Sequence, residues 1–80
     1  FIIEGFREIS RAIQGKVAFE KIFICPELFL GENEDQIIAF FLERSLPVYR
    51  LTEKIFGQLS YRDRPDGLVA IAKQTHLTLD

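Results

Sequence analysis

Asp66-Gly67-Leu68-Val69-Ala70-Ile71-Ala72 decides the fold: a turn pair followed by five apolar residues with no polar interruption. A strand with one wet face alternates apolar and polar side chains, whereas an unbroken apolar run of strand length is covered on both faces. Residues 68–72 therefore predict a central strand, although they come last, with Pro65 and Asp66-Gly67 forming the turn that feeds it.

The rest of the chain must supply its neighbours and its cover. Phe1 to Glu4 reads as a short buried strand and Gly5 as a turn. Phe6, Ile9, Ala12 and Ile13 then recur at helical spacing until Gly15. In Phe19 to Cys25, Phe19, Lys21 and Phe23 alternate with Glu20, Ile22 and Ile24, so both faces are partly apolar, and Pro26 ends the strand because it cannot donate to a ladder. Asn33 is the expected cap of the next helix, with Gln36 reaching back in a capping box and Glu34 and Asp35 where the helix dipole favours acids. That helix runs to about Arg44, with Ile37, Ile38, Phe41 and Leu42 as its buried stripe and Phe40 at the margin. Pro47 to Leu51 predicts a short strand. Thr52 predicts a cap, and Ile55, Phe56 and Leu59 mark one face of a weaker helix containing Gly57, whose stability must come from packing. The order is β-α-β-α-β-α-β. Helices alternating with strands predict an α/β sandwich with right-handed crossovers and, from periodicity alone, a parallel sheet.

Eighty residues, 48% hydrophobic with eight Phe and 28% charged, suit one globular domain with a single core. No apolar run approaches the roughly 20 residues that cross a bilayer. Phe1-Ile2-Ile3-Glu4 has neither the basic region nor the cleavage segment of an export signal. Cys25 has no internal disulfide partner, which predicts a reducing, cytoplasmic setting. The opening on strand-like residues without Met predicts that this is the ordered part of a longer polypeptide, with residues 1–74 as the domain and 75–80, including His76, as the start of a linker.

A net charge of −2 argues against indiscriminate adhesion to nucleic acid. The charge is uneven, however. Glu27, Glu32, Glu34, Asp35 and Glu43 occur without a base between them, whereas Arg50, Lys54, Arg62, Arg64 and Lys73 outnumber Glu53, Asp63 and Asp66 further on. The pattern allows an acidic helix opposite a basic edge.

Catalysis needs a nucleophile with a base, paired carboxylates in a cleft, or clustered ligands, and the single Cys and single His lie far apart in the sequence. Cys25, at a strand end, reads as a partly buried small hydrophobe. Glu4-Gly5-Phe6-Arg7 has neither the spaced glycines of a dinucleotide loop nor the Gly-Lys-Ser/Thr of a P-loop, so no cofactor site is expected in this chain. What remains is a set of basic and aromatic residues in turns: Arg7, Lys54, Tyr61, Arg62 and Arg64. Arginine binds phosphate bidentately and stacks on bases, and tyrosine offers a stacking face, so these five are the candidate RNA-binding residues. A solvated loop charged for solubility explains the same residues.

The order of segments resembles a known family. Phe1-Ile2-Ile3-Glu4-Gly5-Phe6-Arg7, Phe23-Ile24-Cys25, Pro47-Val48-Tyr49, Leu59-Ser60 and Pro65-Asp66-Gly67-Leu68-Val69-Ala70 are similar to the substrate-binding domain that precedes the knotted catalytic domain of SpoU-type RNA ribose 2′-O-methyltransferases. The resemblance spans Phe1 to about Lys73. It implies a three-layer α/β/α sandwich around a four-stranded mixed sheet, like that of ribosomal proteins that bind kinked RNA, in place of the parallel sheet. It also implies rRNA or tRNA as partner and a catalytic domain on the same polypeptide that binds S-adenosylmethionine and dimerises. The residue before Gly67 is often Gln in the family and is Asp66 here; a carboxylate repels phosphate, which argues against an RNA contact from it. The alternative is a stand-alone protein-interaction or scaffold domain without RNA binding.

Overall fold

The structure, a computed structural model, describes residues 1–60 and 65–73. Its elements follow the expected order: β1 (Ile2–Glu4), α1 (Phe6–Gln14), β2 (Phe19–Ile24), a single 3-10 turn (Pro26–Leu28), α2 (Glu34–Glu43), β3 (Val48–Arg50), α3 (Glu53–Leu59) and β4 (Leu68–Ala72). The strands are ordered β1-β4-β2-β3, so the unbroken apolar run is indeed central. β4 runs antiparallel to both neighbours while β2 and β3 are parallel, giving the mixed sheet.

Side-chain alternation along β4 divides the core in two. Leu68, Ala70 and Ala72 join Ile9 of α1, Ile37 and Phe41 of α2, and Phe19, Ile22 and Ile24 of β2. Val69 faces the other way, onto Cys25 and Phe56 of α3. Helices thus cover both faces, completing three layers. A register shift between Phe19 and Lys21 lets Phe19 join Ile22 and Ile24 on the α1/α2 side despite the odd spacing.

Both long helices end in the same way. Val17 N–H donates to Ala12 O and Leu46 N–H to Phe41 O, each at a reach of five residues, with Lys16 and Ser45 in the left-handed region just before them. Gly15 stops α1 as expected, with a φ of −82°, and the left-handed residue is the next one, Lys16.

Four local expectations are corrected. Phe1 and Ile2 are 60% and 41% exposed, because β1 is an edge strand and not a buried one. Leu42 lies outside the buried stripe at 60% exposure, since α2 rests on the sheet through Ile37 and Phe41. Asn33 makes no side-chain cap; instead the buried Glu34 carboxylate accepts from Leu30 N–H at 3.0 Å and Glu32 N–H at 3.2 Å, fastening the loop ahead of α2. Thr52 does cap α3, accepting from Ile55 N–H at 3.3 Å. Cys25 is fully buried rather than partly so.

Candidate functional site

One end of the sheet gathers the segments that carry Arg7 and Lys54 and the described flanks of residues 61–64. β1, β2 and β3 finish there and β4 begins there, because β4 is antiparallel to β1 and β2 and β3 is parallel to β2. The β1–α1 turn, the Pro26–Leu28 turn, the start of α3 and the turn into β4 therefore all lie at this end of the sheet.

The β1–α1 turn is built on Gly5, whose φ of 101° suits glycine, and its N–H donates to Leu68 O at 2.9 Å. Gly5 has no side chain to cap α1. The cap comes from sixty residues away: the Asp66 carboxylate accepts from Phe6 N–H at 2.9 Å, placing a negative charge at the positive end of α1. Gly67 then passes so close to Cys25 that a Cβ would lie 2.5 Å from its carbonyl oxygen. Asp66 is the position where the sequence departs from the family pattern, and its carboxylate serves the helix.

Arg7 is exposed in the first turn of α1 and lines a cleft of about 330 Å³ with Phe6, Glu8, Leu30, Glu32 and Asp66. Three carboxylates against one guanidinium make this cleft unsuited to a phosphate; the chemistry Arg7 can offer is at the rim. Tyr61, Arg62 and Arg64 lie outside the described residues, but both flanks of their segment are fixed. Ser60 Oγ–H donates to the Glu4 carboxylate, and Asp66 accepts from Phe6. The described residues on either side of that segment, Ser60 and Asp66, are thus both bonded to the turn that precedes Arg7.

Lys54 is exposed in the first turn of α3, on the far side of this end. α3 starts beside β3, where Leu51 N–H donates to Ile24 O at 2.8 Å, passes over Cys25 and Val69 through Phe56, and finishes at Ser60 beside β1. β1 and β3 are three strand spacings apart, roughly 14 Å. Lys54 is accordingly not brought together with Arg7. Its neighbour in sequence, Arg50, is within 3.5 Å of Glu27, which offsets its charge.

Glu27 also accepts from the Cys25 thiol at 3.5 Å. Its own backbone N–H, then Cys25 and Arg50, stabilise the carboxylate and pull its pKa down. Burial, with the bond to Glu27 and its negative charge, pushes the Cys25 thiol up, so Cys25 stays a neutral thiol and is no nucleophile. Among the described residues no three potential metal ligands cluster, and no helix is long and apolar enough to cross a membrane.

Two features of this end go beyond the sequence expectations. Asp66 and Glu4 are clamps for the turns, a role invisible locally because each partner is more than fifty residues away. Phe23 and Tyr49, opposite each other on β2 and β3, stack at 5.4 Å with Tyr49 46% exposed; the apolar character of both faces of β2 was the available signal.

Comparison with known proteins returns two findings. A family model described as the MRM3-like substrate binding domain matches residues 1–70. A crystal structure of an RNA 2′-O ribose methyltransferase superposes with a TM-score of 0.78 at 36% identity, covering 100% of this chain and 29% of that one. No curated protein matches the chain.

Proposed function

Because the chain belongs to the MRM3-like substrate-binding domain family, of SpoU type, we propose that it holds rRNA or tRNA for ribose 2′-O-methylation by a catalytic domain on the same polypeptide. The observation that carries this reading is the match at 36% identity over the whole chain to a segment of an RNA 2′-O ribose methyltransferase. In this proposal S-adenosylmethionine supplies the methyl group and belongs to the catalytic domain, through which the parent protein dimerises. No step of methyl transfer is assigned to this chain in this proposal.

RNA binding is assigned to the end of the sheet where Arg7 and the flanks of residues 61–64 meet. Arg7, Arg62 and Arg64 would contact phosphates, Tyr61 would stack on an unpaired base, and Lys54 would add a more distant contact. The mixture of acids and bases there favours a shaped, irregular RNA over a uniform duplex, since net charge gives little non-specific attraction.

The test uses the full-length protein and its cognate RNA. Each of Arg7→Ala, Arg62→Ala and Arg64→Ala should reduce the salt slope of binding by about 0.7 for every phosphate that is no longer neutralised. Tyr61→Ala should cost about 1 to 3 kcal/mol of binding with the slope unchanged. If all four variants bind and methylate like the parent, the basic turns are a solvated surface and the site lies elsewhere.

A further inference from the structure

Among the described residues, the α3 face of the sheet is only half covered. α3 has seven residues and rests through Phe56 on Cys25 and Val69, at the end of the sheet that carries the turns. The strand registers place Ile2, Lys21 and Ile71 on the same face, two residues further from that end, and Ile2 is 41% exposed. Tyr49 and Ile55, also on this side, are 46% and 47% exposed. Between the sheet and α3 lies a groove of about 330 Å³ lined by Phe23, Leu51, Ile55, Gln58 and Leu59, with no charged residue.

We propose that this face is the seat of the remainder of the same polypeptide: an apolar patch of the domain that follows β4 packs across Tyr49, Ile55 and Ile2. Three observations select that occupant. An apolar occupant fits better than a polyanion, because RNA affinity rests on cations that release counterions, the groove lining has no charged residue, and Lys21 is the one cation among these face positions. The superposed methyltransferase has more than three times the length matched here, so that structure contains ample protein to cover the face. β4 ends at Ala72, next to Ile71, which pairs with Ile2, so the described backbone leaves the sheet close to Ile2. A patch of a few side chains is small for a stable contact between free molecules, which bury about 800 Å² per partner. It suffices for a tethered domain, whose effective concentration is of millimolar order.

The inference rests on the reading that this chain is the substrate-binding part of a longer methyltransferase, and its test is independent of activity. In the full-length protein, Tyr49→Cys and Arg11→Cys are labelled with a maleimide and followed at the peptide that carries each position. Arg11, on α1 with its side chain 69% exposed, is the open-surface control. Tyr49→Cys should label at least about tenfold more slowly than the control, as expected of a site that reacts only on opening. Protection should be the same with RNA present or removed and at all dilutions, and adding Ile55→Asp should abolish it. Equal rates overturn the proposal. So does protection that requires RNA, protection that fades on dilution as a second copy would give, or protection that survives Ile55→Asp. Methyl transfer by the parent, measured separately, bears on the function and leaves the labelling result intact.

Discussion

The two faces of the sheet share the same four strands and differ in what lies on them. The α1/α2 face joins nine buried residues into one core, with Phe19, Phe40 and Phe41 packed ring against ring at 5.0 to 5.9 Å. Among the described residues the α3 face buries Cys25, Phe56 and Val69 as its core. The contrast separates two tasks in one small domain: the first face supplies stability, and the second, with its thin cover, leaves surface for contacts.

Mutations can break or sharpen that contrast. Phe41 is fully buried at the centre of the larger core, so Phe41→Ala should cost about 3 to 5 kcal/mol, which threatens the fold of a domain this size. An unchanged melting temperature would mean that the main core lies elsewhere. Phe56 is equally buried but sits in the smaller cluster, where partly exposed neighbours can close over the space; Phe56→Ala should stay near the low end, about 3 kcal/mol. Chemical denaturation that ranks Phe56→Ala as the costlier of the two would reverse the comparison. Thr52→Ala removes the cap of α3 and should cost about 1 kcal/mol, and hydrogen exchange should show faster opening in α3 than in α1 or α2. Uniform loss of protection would show that the two faces open as one unit.

The smallest effect concerns pH. Glu27 is more acidic folded than unfolded, so its contribution is present above its ordinary value of 4.5 and is lost as pH falls through the lower folded value. The melting temperature of the parent should exceed that of Glu27→Gln above pH 4.5 and converge with it in stronger acid. A gap that persists at about pH 2, below the usual carboxylate range, would assign the difference to packing.

What could be read from the sequence divides along local and non-local lines. The centrality of β4 was legible because burial on both faces leaves its mark in five consecutive residues. The edge position of β1 was not: Phe1-Ile2-Ile3 is as apolar as a central strand, and only strand order exposes it. Leu42 looked buried because an apolar stripe on a helix has no sharp border, and the side that meets the sheet is set by packing. At the site, the position of Lys54 at the start of a helix was legible, whereas Arg7, read as a turn residue, lies inside the first turn of α1. That Arg7 is joined to the flanks of residues 61–64 while Lys54 stands apart depends on which strand lies beside which. The cap from Asp66 was beyond any local rule, since capping signals are sought within a few residues of the helix and this one is sixty residues away.

The position of β4 also governs when the domain can form. The strand that holds β1 and β2 together is the last of the four to leave the ribosome, and the backbone nitrogen of Phe1 donates to Ala72 O across 71 residues. Until that strand emerges, β1 has no partner in the sheet, and β2 can pair only with β3. Synthesis at about 5 to 20 residues per second leaves the unpaired flank of β2 and the apolar segments open for several seconds. Such long-range pairing also predicts slow closure for a chain of this size. The nascent chain is therefore most exposed to aggregation and to chaperones in the interval just before Leu68–Ala72 arrives, and the domain closes in a late step that zips both sides of the sheet together.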